Sequence, residues 1–166
     1  MVSEHGERGL QLGRAYQRDA SALELMQGRR ISTLTACFRN VLRELPRELE
    51  QAPLMDVCWW SLLGAYGKGK YLADIIPGGY RVHSGGIFSM RTEKKKLHMS
   101  LQTAACLANY YHHRGQQALY EHFVTQLFGL SLAAVSPWQK LSALGLVLTN
   151  ISRNLCRRLA QPLGRG

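Results

Sequence analysis

Between positions 68 and 96 the chain carries Lys68, Lys70, Arg81, His83, Arg91, Lys94, Lys95 and Lys96, opposed only by Asp74 and Glu93. Side chains of these types grip polyanions. Lysine meets a phosphate as a point charge, while arginine offers a planar fork that reaches two acceptors at once, including those on a guanine edge. Neutralising several phosphates in this way makes affinity fall steeply with salt. These eight residues are the candidate DNA-binding set. A basic surface that only keeps a protein dissolved has the same composition, and spacing does not separate the two.

The charge behind this set is regional. Residues 1–62 hold eight Lys or Arg and eight Asp or Glu, so they are neutral. Residues 63–120 hold eight basic groups against two acidic ones, and residues 121–166 hold five against Glu121 alone. The net charge of +10 therefore belongs wholly to the part after residue 62. A field of one sign speeds the encounter with polyanions.

Other constellations do not reach a catalytic or metal-binding pattern. Glu44 and Glu48 are one helical turn apart, but Arg43 and Arg47 flank them, which is the pattern of a solvated, ion-paired face. His112 and His113 point about 100° apart on a helix and cannot easily share one ion. Cys37, Cys58, Cys106 and Cys156 each stand alone in an apolar stretch, without a C-x-x-C pair. With a polar start from Met1 to Glu7, reduced thiols in a cytoplasm are expected. Gly67-Lys68-Gly69-Lys70 has neither the spacing nor the following hydroxyl of a phosphate loop, and reads as two mobile cations on a flexible turn. The apolar run Phe123 to Gln139 is broken by Gln126, Gly129, Ser131 and Pro137, so no membrane span is expected. The expectation is a non-enzyme with no cofactor, no metal and no membrane partner.

The elements that must position the cations read as mostly α, in one domain over 1–166. A neutral helical part, 1–66, suits a protein partner, and a basic part, 67–166, suits nucleic acid. Helices are predicted from Gly9 to Gln27, ended by Gly28, and from Ile31 to Leu45, where Leu34, Cys37, Phe38, Val41, Leu42 and Leu45 form a stripe. A short piece from Arg47 to Gln51 follows Pro46, then a helix from Leu54 to Tyr66. The region 67–91 is a glycine-rich irregular insert, or a short β-hairpin around Gly85-Gly86. Further helices are predicted from Glu93 to His113 and from Gln116 to Phe128, the latter ended by Gly129. The last begins at the capping box Ser136-Pro137-Trp138-Gln139 and carries a leucine stripe to Leu159. Lys94 to Lys96 oppose the positive end of their helix dipole, a placement that an anion would relieve.

Several short motifs resemble the FlhC-type subunit of the flagellar master transcriptional activator and its relatives that switch on conjugative elements. Ala22-Leu23-Glu24-Leu25 followed by Gly28-Arg29-Arg30 is similar to the family's early helix and its Gly-Ala-Arg-like step. Gly85-Gly86-Ile87-Phe88-Ser89 resembles its Gly-x-Leu-Pro-Phe-Ser segment without the proline, and His98-Met99-Ser100-Leu101 with Tyr110 resembles its His-x-Ser-x-Phe helix. The family's four-cysteine zinc site has no counterpart here, and the stretch from Arg30 to Gly85 is longer than its pattern, so zinc is not carried over. The resemblance implies a DNA-binding activator subunit that works with a separate helical partner.

Two alternatives stay open. One is a protein-interaction adaptor with Trp59, Trp60 and Tyr66 as anchors if they are exposed, although apolar neighbours favour a core position for the two tryptophans. The other is a small RNA-binding subunit of a ribonucleoprotein, with Tyr110, Tyr111, His112, His113 and Arg114 as stacking groups beside a cation.

Overall fold

Helix α1, Ala22–Met26, is short because its two ends are chemically specified. The Ser21 hydroxyl accepts the Glu24 N–H at 3.1 Å, and the Glu24 carboxylate accepts the Ser21 N–H at 2.8 Å, a reciprocal capping box. At the other end Gly28 adopts φ +79°, donating to Leu25 O at 2.8 Å while Arg29 N–H reaches Glu24 O at 3.0 Å. Gly115, with φ +66°, ends helix α3 (Glu93–His113) by the same pair of bonds, to His112 O and from Gln116 to Tyr111 O. Only glycine enters this left-handed backbone without strain, and the motif satisfies carbonyls that a helix end leaves open.

The computed structural model describes residues 14–75, 91–135, 139 and 142. The chain is mostly helical, and no strand occurs among the described residues. Helix α2 is Met55–Leu63, continued by a 3-10 turn at Gly64–Tyr66, and helix α4 is Gln117–Ala134. The chain forms two compact units, Met1–Leu130 and Ser131–Gly166, and the hydrophobic core lies in the first. No described helix is long and apolar enough to cross a membrane.

The core gathers Leu49 and Ala52, Cys58 and Leu62 of α2, Ala104, Leu107, Ala108 and Tyr111 of α3, and Leu119 and Phe123 of α4. Neutral and basic parts of the sequence therefore share one core, with no gap at residue 66. Polar groups stitch the helices. Tyr111 Oη and Ser61 Oγ lie 2.7 Å apart in the interior, and the Ser61 hydroxyl donates to Met26 O at 2.6 Å. Leu54, at the start of α2, has no side-chain cap of its own, and its N–H is accepted by buried Thr103 Oγ1 of α3 at 3.1 Å. His122 Nε2 donates to Gln27 O at 3.2 Å, so α4 closes the end of α1.

Three expectations are corrected. The helix from Gly9 to Gln27 is, among the described residues, a 3-10 turn at Arg14–Tyr16 and then α1, with non-helical chain between them. The helix from Ile31 to Leu45 does not form: a 3-10 turn at Thr33–Thr35 leads into irregular chain, with Ala36 extended. Local hydroxyls compete with the helix there, Thr35 Oγ1 donating to Ser32 O and Thr33 Oγ1 to Asp56 Oδ2. The stripe is split as well. Phe38 packs on Trp59 and Trp60, Leu42 and Leu45 pack on the core, and Leu34 is 61% exposed. Gly129 does not end α4, because Leu127 and Leu130 on either side of it pack on the core and hold the helix through the glycine. The Arg47 piece is a single 3-10 turn, Arg47–Leu49. The possible hairpin at Gly85-Gly86 and nearly all of the final leucine-rich helix lie outside the described residues.

Candidate nucleic-acid interface

The first turn of α3 holds the best-placed cations. Thr92 caps it, its hydroxyl accepting the Lys95 N–H at 3.3 Å, which offsets part of the cost of three lysines at a helix N-terminus. Lys94 and Lys95 are exposed. Lys96 is more enclosed and pairs with Glu93 at 2.8 Å, one turn away. Arg91 immediately precedes the cap and is exposed. Arg81 and His83 lie outside the described residues.

Lys68 and Lys70 occupy a different element, and their turn is not the flexible loop that its glycines suggest. Gly69 and Ala20 exchange two backbone bonds, each 2.9 Å, in an isolated antiparallel bridge. Asp19 then takes the Tyr71 N–H at 2.9 Å and the Lys70 ammonium at 3.2 Å. A carboxylate of the neutral part thus engages one of the eight candidate cations, while Lys68 remains exposed beside it.

Two further carboxylates of the neutral part are paired in the same manner. Glu24 is bridged by Arg18 and by Arg29, the latter at 3.0 Å, and Arg29 also lies over the Tyr16 ring at 5.7 Å. Glu48 pairs with His113 Nδ1 at 3.1 Å. Glu44 and Glu48 are not joined to each other: Glu48 faces α3, and Glu44 has no hydrogen bond or ion pair among the described residues.

These contacts hold three carboxyls below their ordinary range. The Tyr71 N–H and then the Lys70 side chain do so for Asp19, Arg18 for Glu24, and the residue's own N–H followed by His113 for Glu48. A lowered folded-state pKa stabilises the fold above the ordinary value, and that contribution is lost as pH falls through the folded value. The ordinary values are 3.8 for Asp19 and 4.5 for Glu24. In urea melts the midpoint is expected to stay level from about pH 7 to about pH 5 and to fall below about pH 4. Asp19→Asn and Glu24→Gln are each expected to flatten the fall. An equally steep fall in both variants would show that the pairs contribute nothing.

No family model, curated protein or solved structure matches the chain. Among the described residues, no three His, Cys, Asp or Glu side chains converge as metal ligands. Burial pushes the Cys58 thiol up to about 12, so it stays protonated and unreactive, and Tyr111 is pushed up to about 12 by the same cause.

Two concave sites bring together residues that their separation in sequence conceals. Thr33, Phe38, Met55, Asp56, Trp59 and Trp60 line an apolar groove of about 290 Å³. Trp60 is buried there, its indole N–H without an acceptor among the described residues, and Trp59 is half-buried. The tryptophans are thus mainly core, while Tyr66 is 64% exposed. Tyr66 borders the second site, with Tyr110 and Arg114, where the irregular chain before Pro46 meets the ends of α2 and α3.

Proposed function

We propose that the chain is a non-enzymatic, cytoplasmic DNA-binding regulator, an activator subunit that works with a helical protein partner, as its resemblance to the flagellar activator family implies. The observation that carries this reading is the confinement of the +10 charge to the chain after residue 62, together with the exposure of Lys94 and Lys95 at the start of α3. Glu24 engages Arg18 and Arg29 within the neutral part, whereas Asp19 reaches across to Lys70, so the reading rests on Lys94 and Lys95 and not on Lys70. The exposed apolar side chains Leu23, Leu34 and Phe38 belong to the neutral part and are suited to being covered by a partner. The free thiols of Cys37, Cys58 and Cys106 fit a reducing compartment.

Fluorescence anisotropy with duplex DNA over a salt series tests it. Affinity is expected to fall linearly on a log–log plot, and the double variant Lys94→Glu with Lys95→Glu to reduce the slope by about two and the affinity by about tenfold or more. A salt-independent signal, or a double variant that binds like the parent, would sink the proposal. Lys96 is left in place because its ion pair with Glu93 supports the helix end.

A further inference from the structure

Three stretches of chain converge on the second concave site: Leu42, Glu44 and Pro46; Leu62, Ala65 and Tyr66; and Tyr110, Arg114 and Gln116. Its volume is about 270 Å³, just below the range of roughly 300–1,000 Å³ typical of pockets for whole drug-sized ligands. There is room for one flat ring system. The floor is apolar, from Leu42, Pro46, Leu62 and Ala65.

The polar chemistry around that floor is specific. Tyr66 is 64% exposed, and Tyr110 is half-buried with the Arg114 guanidinium carbon over its ring, 5.4 Å from the centre. Two aromatic rings and a planar cation are the groups on which an unstacked base lies. Glu44 is exposed and has no hydrogen bond or ion pair among the described residues. An ionised carboxylate only accepts hydrogen bonds, with two oxygens side by side. Its complement is a ring edge that presents two adjacent N–H donors. Guanine offers that pair on its Watson–Crick edge, at N1 and at the exocyclic amine, whereas adenine places an acceptor nitrogen next to its amine. Arg114 supplies a cation for the phosphate attached to such a base.

We propose that this pocket takes one unstacked guanine from a single-stranded nucleic acid, with the exposed ring of Tyr66 as its stacking wall and Glu44 as the acceptor of its two N–H groups. The proposal deepens the nucleic-acid reading above and depends on it only for the source of the base. A base inside a duplex is paired on the edge that Glu44 reads, so the pocket reports on a single strand, while the lysines of α3 serve any polyanion.

Labelled thymidine strands with a central guanine, adenine or abasic site, measured by anisotropy, test the pocket. The guanine strand is expected to bind about tenfold tighter than the abasic one, and Tyr66→Ala to remove that difference. Glu44→Gln is expected to keep the stacking gain and lose the preference of guanine over adenine. Both side chains are exposed, so the fold is left intact, and circular dichroism checks this. Equal affinity for the three strands overturns the proposal, as does a guanine preference that survives both substitutions, or no binding to any strand. Duplex binding that persists alongside equal strand affinities leaves the regulator reading standing without the pocket. Ligand-observed NMR of guanosine gives the converse: saturation transfer lost in Tyr66→Ala, in a protein that ignores duplex DNA, upholds the pocket and removes the regulator.

Discussion

Replacing Phe123 by alanine is expected to lower the free energy of unfolding by about 3–5 kcal/mol, the usual cost of deleting a buried aromatic side chain. Phe123 is 1% exposed, and its ring stacks on Tyr111 at 5.7 Å with an interplanar angle of 4°. It also lies beside Gly28, where a Cβ would come 3.5 Å from its ring. One side chain therefore joins α4 to α3 and to the turn that ends α1. Neighbours cannot collapse readily into the space it leaves, because Tyr111 is itself held by Ser61 at 2.7 Å. Domains of this size are stable by only about 5–15 kcal/mol, so the loss is a large share of the total. Urea denaturation followed by far-ultraviolet circular dichroism measures the change. A loss of less than about 1 kcal/mol would mean that α4 does not depend on this contact.

Helix α3 shows what sequence can reveal about this chain. Its expected span, Glu93 to His113, matches the structure because both boundaries are local chemistry, Thr92 at the start and Gly115 just past the end. The stretch from Ile31 to Leu45 shows the opposite. Its apolar spacing suits a helix, yet Phe38 is bound to the tryptophans of α2 and Leu42 to the core, and irregular chain reaches both. Periodicity records which residues are apolar, and it does not record that their partners lie on different surfaces. The same limit hid the engagement of Lys70 by Asp19, 51 residues earlier. Tyr66, Tyr110 and Arg114 were legible singly as exposed or stacking groups, but their meeting with Glu44 in one pocket depends on how the ends of α2 and α3 pack.

Gly64→Ala is expected to destabilise the fold by about 3 kcal/mol or more, against the direction that helix propensity alone would give. Gly64 sits at the end of α2 with φ −56°, a conformation that any residue adopts, so the cost lies in space and not in backbone strain. A Cβ there would fall 2.6 Å from Met26 Cγ, 2.7 Å from Ala22 O and 2.7 Å from Met26 N. The methionine side chain could turn aside, but the other two atoms are the backbone of α1. The two helices would have to separate, and separation breaks the 2.6 Å bond from Ser61 to Met26 O, leaving a polar group in the interior. Gly129→Ala provides the contrast. Gly129 lies within α4, and nothing stands within 4 Å of its added Cβ, so alanine there is expected to stabilise by about 0.5–1 kcal/mol. The same chemical change therefore carries opposite signs at two helical glycines. If Gly64→Ala raised the melting temperature as Gly129→Ala is expected to, the close approach of α1 to the end of α2 would be wrong, and with it the path by which Ser61 links α1 to Tyr111 of α3.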